Sequence, residues 1–154
     1  MSSLPKLTTL CYLFREKEVL LAMKKRGFGI GKWNGAGGKV KLGESIEGAA
    51  GRECEEEVGA RPQKLLPQGV IQFHYADGVS TTRCSLFAAV EWQGEIIESD
   101  EMRPQWFLLT KIPYDEMWET DRLWFPQFLA GQKTFLKLFF DEDFRFIRSE
   151  KLEQ

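Results

Sequence analysis

Gly38-Lys39-Val40-Lys41-Leu42-Gly43-Glu44-Ser45-Ile46-Glu47-Gly48-Ala49-Ala50-Gly51-Arg52-Glu53-Cys54-Glu55-Glu56-Glu57-Val58-Gly59-Ala60 is the stretch on which the reading of this chain turns. It reads as a loop, a short helix and a stop. Ser45 suits a helix N-cap, because its hydroxyl can accept a bond from a free first-turn N–H. Gly59 suits the C-terminal stop, because glycine takes a positive φ without penalty. Between them Glu53, Glu56 and Glu57 stand at i, i+3 and i+4, which puts three carboxylates on one helical face. Glu55 falls off that face. Only Arg52 lies close enough in sequence to answer the repulsion. A hard divalent cation such as Mg²⁺ would answer it too, since it takes oxygen ligands and keeps waters.

A bare Glu-x-x-Glu-Glu is usually a solvated helix face. The frame around it changes the reading. The segment fits Gly-x5-Glu-x7-Arg-Glu-U-x-Glu-Glu-x-Gly-U throughout, with U apolar. At about 7% usage per residue type, seven fixed identities recur by chance in about one window in 10⁸.

Outward from this stretch, Arg26 to Gly38 is a glycine-rich loop directly before the acidic helix. Such a loop lets backbone approach a ligand closely and can aim N–H groups at phosphate. Before it, Leu7 to Phe14 and Val19 to Met23 read as a two-stranded hairpin. After the helix, Leu65 to Tyr75 and Thr81 to Trp92 read as strands joined by Asp77-Gly78, a strong hairpin signal. Gln105 to Leu109 is a further short strand. Asp115 to Gly131 has helical spacing of large apolar residues, with Pro126 inside, and predicts a helix with an irregular start. Phe135 to Phe140 and Phe144 to Ile147 predict a closing hairpin around Asp141-Glu142-Asp143. The mixture implies an α/β class with a mixed sheet between helices.

The 154 residues fit a single domain over 1–154. The net charge of −2 and the lack of a basic run argue against a nucleic-acid polymer as partner. The N-terminus lacks the build of a signal peptide, and no apolar run reaches the length of a membrane span. Cys11, Cys54 and Cys84 are odd in number and widely spaced, which argues for a reducing compartment, the cytoplasm, and against a zinc site. Nothing in the sequence signals oligomerisation, so a monomer is expected. His74, the lone histidine, reads as a strand-face residue rather than a ligand.

The framed motif matches the Nudix box, and the chain resembles the Nudix hydrolases, which cleave a nucleoside diphosphate linked to another group with a divalent metal. The resemblance implies an α/β/α sandwich with the box as strand-loop-helix-loop. It also implies that Glu53 and Glu57 hold Mg²⁺ (Mn²⁺ as a substitute), with Glu56 beside them and the Gly38 carbonyl as a further ligand. Arg52 and Glu44 then brace the loop against the helix. Glu101, in Ser99-Asp100-Glu101-Met102-Arg103, stands where a carboxylate outside the box joins the metal in this family. Glu53, Glu56 and Glu101 are all candidates for the general base, which must lie within hydrogen-bond reach of the attacking water.

The likeness continues through Met23-Lys24-Lys25-Arg26-Gly27-Phe28-Gly29, Lys32-Trp33-Asn34-Gly35, Glu98 to Pro104, Met117-Trp118 and Trp124-Phe125-Pro126. These resemble the branch of the family that acts on oxidised purine nucleoside triphosphates such as 8-oxo-dGTP and 2-hydroxy-dATP. That branch implies a base pocket of Thr9, Phe28, Asn34, Phe73, Met102, Trp118, Trp124 and Phe140, with Lys24 near it. Aromatic faces suit a flat purine. Mammalian members set two adjacent aspartates against the base; here the pair reads Thr120-Asp121, so a narrower substrate range is expected. The sequence alone leaves two alternatives. One is another nucleoside diphosphate derivative as substrate, such as a dinucleoside polyphosphate, nucleotide sugar or RNA cap. The other is a non-catalytic nucleotide sensor, against which the intact box carboxylates speak.

Overall fold

The structure is a computed structural model that describes residues 4–153. The N-terminal hairpin forms from β1 (Lys6–Arg15) and β2 (Glu18–Lys24), but only Phe14↔Val19 and Arg15↔Glu18 pair across it. The two strands then part. On its other side β1 runs parallel to β6 (Thr81–Ala89) from Lys6↔Thr82 to Leu13↔Ala89.

The glycine-rich loop fills the gap between the parted strands. Cys11 and Ala36 exchange backbone hydrogen bonds of 2.7 and 3.1 Å, the Thr9 N–H donates to the Gly38 carbonyl at 2.9 Å, and the Val40 N–H donates to the Leu7 carbonyl at 3.0 Å. Backbone groups that would otherwise be orphaned are thereby paired. The approach is so close that a Cβ added at Gly37 would lie 1.7 Å from the Thr9 carbonyl oxygen.

The remaining elements are β3 (Trp33–Asn34), α1 (Ile46–Val58), β4 (Arg61–Gln63), β5 (Leu66–His74), β7 (Glu91–Gln93), β8 (Met102–Leu108), a 3-10 turn (Tyr114–Glu116), α2 (Asp121–Leu129), β9 (Thr134–Phe140) and β10 (Phe146–Lys151). The main sheet has the order β10-β9-β5-β6-β1-β2-β3, with β8 also on β2; β4 and β7 form a separate pair. Parallel and antiparallel neighbours are mixed.

Strand side chains alternate between faces, and two cores result. On one face Cys11, Leu13, Leu20, Ala22 and Phe87 pack against Ala50, Cys54 and Val58 of α1. On the other, Tyr12, Val19, Leu21 and Leu86 pack against Trp124, Phe125 and Phe128 of α2. The expected sandwich of a mixed sheet between helices is what forms. Tyr12, fully buried, has its ring 5.1 Å from Phe125 and 5.0 Å from Phe128. Burial of each such side chain contributes about 1.5–3 kcal/mol. The Tyr12 hydroxyl donates to Asn34 Oδ1 at 3.1 Å, so the core also orients a residue of the loop.

Both expected caps of α1 are present. Ser45 Oγ accepts the Gly48 N–H at 2.9 Å. Gly59, at φ 81°, donates its N–H to the Glu55 carbonyl. Several strand assignments differ from expectation, among them an unexpected β4. The run from Thr81 to Trp92 breaks after β6, because β7 leaves the main sheet to pair with β4. β8 begins at Met102, because Met102, Arg103 and Pro104 pair with Lys24, Met23 and Ala22 at the end of β2. The final strand runs Phe146–Lys151 instead of Phe144–Ile147; it is an edge strand of mostly exposed, charged residues, so apolar periodicity does not mark it. The two-residue β3 lies inside the segment read as loop. His74 stacks on Phe139, centroids 4.8 Å apart, as a strand-face residue.

Candidate functional site: an acidic helix face and an aromatic cavity

α1 presents Glu53 and Glu57 toward the glycine-rich loop, with Glu56 exposed beside them on Arg52. Glu57 is 5% exposed and accepts the Gly37 N–H at 2.8 Å. Burial pushes its carboxyl up to about 7, against the pull of the Gly37 N–H; the charges of Glu53 and Glu101 push the same way as burial, and Lys24 opposes them. Glu53 lies under Gly38, where an added Cβ would sit 2.6 Å from the Glu53 carboxyl carbon.

Arg52 is shared among three of the acids, Glu44, Glu53 and Glu56. Its Nε and Nη2 donate to the two oxygens of Glu44 at 2.6 and 3.0 Å. Nη1 donates to Glu53 at 2.9 Å and to Glu56 at 3.3 Å, and Nη2 also reaches the Lys39 carbonyl at 3.1 Å. The bidentate fork is the geometry that distinguishes arginine from lysine. Hydrogen bonds from Arg52 hold the Glu44 carboxyl down at about 2. Arg52 and Glu44 therefore brace loop against helix, as the motif implies.

Glu101, ahead of β8, stands between two cations. Lys24 Nζ is 3.9 Å and Arg26 Nη2 3.6 Å from its carboxylate, and its backbone carbonyl accepts the Lys25 N–H at 2.8 Å. The Arg26 contact is invisible in sequence, because it depends on β2 and β8 being neighbours.

The donors fit a hydrated hard cation better than a closed cage. The Gly38 carbonyl spends one lone pair on Thr9 and keeps another. Glu53 and Glu101 are close enough for their charges to be felt at Glu57. Among the described residues no three acidic, cysteine or histidine side chains converge on one point. An ion that retains several waters suits that spread.

Across the sheet lies a cavity of about 680 Å³. Phe28, Asn34, Phe73, Trp118, Thr120, Asp121, Trp124 and Phe140 line it, as the resemblance implies. Phe28, 85% exposed, stacks on Trp118 with centroids 5.1 Å apart and planes at 27°. Phe73 and Phe140 stack at 6.0 Å. Asp121 accepts the Trp118 N–H at 3.1 Å. Burial pushes its carboxyl up to about 7, although the Trp118 and Trp124 hydrogen bonds favour the charged form.

Three residues expected in this pocket lie elsewhere. Thr9, like Cys11 and Leu13, alternates onto the α1 face of β1; it is 1% exposed, and its hydroxyl has no partner. Met102 belongs to the α1-side core. Lys24 shares the acidic side with Glu101. The strand period of two decides each case. Conversely, Lys32, Tyr75, Thr82 and Phe144 line the cavity without having been expected there, and Glu119 reaches its rim beside Asp121. Lys32 Nζ sits 5.1 Å above the Trp118 ring. Tyr75 could have been found from its period-two spacing after Ile71 and Phe73.

A NUDIX domain model matches residues 4–128. The chain belongs to the Nudix hydrolase family. It is 47% identical to the zebrafish (Danio rerio) oxidized purine nucleoside triphosphate hydrolase over 97% of this chain and 95% of that one. The mouse (Mus musculus) oxidized purine nucleoside triphosphate hydrolase is 44% identical over 85% of this chain and 84% of its own. The crystal structure of a MutT protein from Bacillus halodurans superposes with a TM-score of 0.83 at 26% identity, covering 94% of this chain and 96% of that one. The chain is thus an enzyme of the Nudix type, a family that works with divalent metal ions on nucleotide substrates. No helix among the described residues is long and apolar enough to cross a membrane.

Proposed function

We propose that this enzyme hydrolyses oxidised or otherwise modified purine nucleoside triphosphates, 8-oxo-dGTP and 2-hydroxy-dATP among them, to the monophosphate and pyrophosphate, and so clears them from the nucleotide pool. One observation carries the reading. Asn34 lines the aromatic cavity, and Gly38, four residues on, overlies Glu53. A single loop segment that can reach at most roughly 14 Å therefore joins a base-sized aromatic site to an acidic one, within the span of one nucleotide. The relatives named above support the substrate class.

In this reading Glu53, Glu56, Glu57, Glu101 and the Gly38 carbonyl would hold hydrated Mg²⁺, with Mn²⁺ as a substitute. The bound ion polarises phosphoryl oxygen and lowers the pKa of bound water. Lys24 neutralises part of the polyphosphate. Phe28 and Trp118 clasp the base, and Asn34 and Asp121 read its edge. Water oxygen bonds to phosphorus as the phosphoanhydride P–O bond breaks. One of Glu53, Glu56 and Glu101 takes the water proton, and pyrophosphate leaves. We further place the enzyme in the cytoplasm as a single-domain monomer over 1–154 with no nucleic-acid polymer as partner. Three free, buried cysteines accord with a reducing compartment.

The test is a set of initial rates for 8-oxo-dGTP, 2-hydroxy-dATP, dGTP and dATP, each with Mg²⁺ and with Mn²⁺. The oxidised purines should lead in kcat/KM, and pyrophosphate should be the released product. Equal rates for all four would remove the oxidised-purine preference.

A further inference from the structure

We infer that the base cavity has a second compartment, walled by Tyr75, Phe140 and Phe144, that accepts a flat apolar substituent on the purine. The inference rests on the purine-nucleotide reading above and extends it to purines carrying bulky exocyclic adducts.

The cavity is longer than an unmodified base needs. Its floor follows β5 and the residue after it: Ile71, Phe73 and Tyr75 stand two apart and all line it. That places its floor along about 13 Å of strand. The end near Asp121 and Trp124 carries polar groups for a base edge. The other end is aromatic. Tyr75 stacks against Phe140 at 6.0 Å and meets Phe144 edge-on at 6.0 Å and 68°.

Phe144 is held in an unusual way. Its φ is 60°, a left-handed conformation that a bulky residue rarely adopts. Asp141 fixes the turn. Its Oδ1 accepts the Asp143 and Arg145 N–H groups at 2.8 and 2.9 Å, its carbonyl accepts the Phe144 N–H at 3.0 Å, and its own N–H donates to the Arg145 carbonyl at 2.9 Å. Glycine or asparagine would adopt this conformation at lower cost. The position instead carries a phenyl ring that is 69% exposed at the cavity wall. A ring so presented offers an uncovered face beside Tyr75, and an aryl group is the ligand that such a face recognises. Arg145 and Asp143, also in the lining, leave the rim polar, so the compartment takes one ring rather than a lipid chain.

The experiment measures equilibrium binding of N6-benzyl-dAMP and O6-benzyl-dGMP against dAMP and dGMP in EDTA, followed by tryptophan fluorescence. At least one benzylated nucleotide should bind about tenfold tighter than its parent, the scale of one aromatic stacking contact. Phe144→Ala and, separately, Tyr75→Leu should each bring that ratio toward one. Circular dichroism of each variant confirms that it is folded. Parity between both benzylated nucleotides and their parents overturns the inference, and so does a ratio that survives both substitutions. Oxidised-purine hydrolysis without a benzyl preference would sink the compartment alone. A benzyl preference without oxidised-purine hydrolysis would leave the compartment and sink the proposed substrate.

Discussion

The Glu57 carboxylate takes the Gly37 N–H at 2.8 Å, so the last acid of α1 is tied to the loop that crosses β1. The bond fixes a buried carboxylate beside Glu53 and Glu101. Glu57→Gln keeps an acceptor for Gly37 and removes the charge. Hydrolysis should fall at least about a hundredfold, beyond the loss typical of residues that only support a metal ligand. Thermal stability at pH 8 should stay within about 1 kcal/mol of the parent. Unchanged phosphate release would refute the metal-site assignment.

Gly37 and Gly38 should separate folding from catalysis. A methyl at Gly37 meets the Thr9 backbone at 1.7 Å, so the loop cannot stay paired with β1. Gly37→Ala should cost about 3 kcal/mol or more in denaturant melts. A methyl at Gly38 first meets the Glu53 carboxyl, at 2.6 Å, the end of a side chain rather than backbone. Gly38→Ala should cost about 1 kcal/mol or less while lowering kcat about a hundredfold through the displaced acid.

Arg52→Lys should retain charge and lose function. Lysine cannot serve Glu44 bidentately while also reaching Glu53 and the Lys39 carbonyl. A fall in kcat of about tenfold or more, together with a lowered melting temperature, is the expected result. Wild-type kinetics would show that the fork is dispensable.

Asp121 sets a pH dependence whose sign follows from burial. Its folded carboxyl titrates near 7 against an ordinary value of 3.8. Between those values the native state keeps a proton that the unfolded chain has released, so this group makes stability fall as pH rises. The cost is complete above 7 and absent below about 4. Asp121→Asn should make the stability profile shallower over that window, leaving the part contributed by the likewise raised Glu57 carboxyl. It should also remove any shift in relative purine rates between pH 6 and 8, because only the protonated carboxyl can donate to a base edge.

Thr120→Asp would supply the second of the paired acids that the family resemblance implies. Thr120 is 6% exposed and lines the cavity beside Asp121. Two close carboxyls share protons and titrate as a unit. The variant should raise the rate on 2-hydroxy-dATP relative to 8-oxo-dGTP by about tenfold, worth about 1.4 kcal/mol. An unaltered ratio would show that the hydroxyl already serves both purines.

Much of this architecture is legible in the sequence because local rules act alone. Ser45 and Gly59 bracket α1 by side-chain and backbone chemistry that needs no partner. Pro126 and the spacing of Trp124, Phe125 and Phe128 announce α2 and its irregular start. What stays hidden depends on partners far along the chain. β4 contains Pro62 and has no apolar run, and only its pairing with β7 makes it a strand. Thr9 and Met102 look like pocket residues until strand alternation turns them to the other face. Arg26 meets Glu101 only because β2 and β8 pair. Phe144 carries no periodic signal, since a four-residue turn rather than a strand presents it.

The pairing of β1 with β6 also constrains how the chain assembles. β1 shares just two rungs with the strand that follows it, and its long parallel neighbour begins at Thr81. A nascent chain released only as far as α1 offers β1 the loop bonds at Leu7, Thr9 and Cys11 and the apolar face of α1, but not the parallel neighbour along its other edge. Loop closure on that scale precedes the contacts that reward it, which slows folding. During synthesis the N-terminal strand must wait for residues beyond Ala89 to clear the ribosome, and truncation ahead of that point should yield an unfolded, protease-sensitive product.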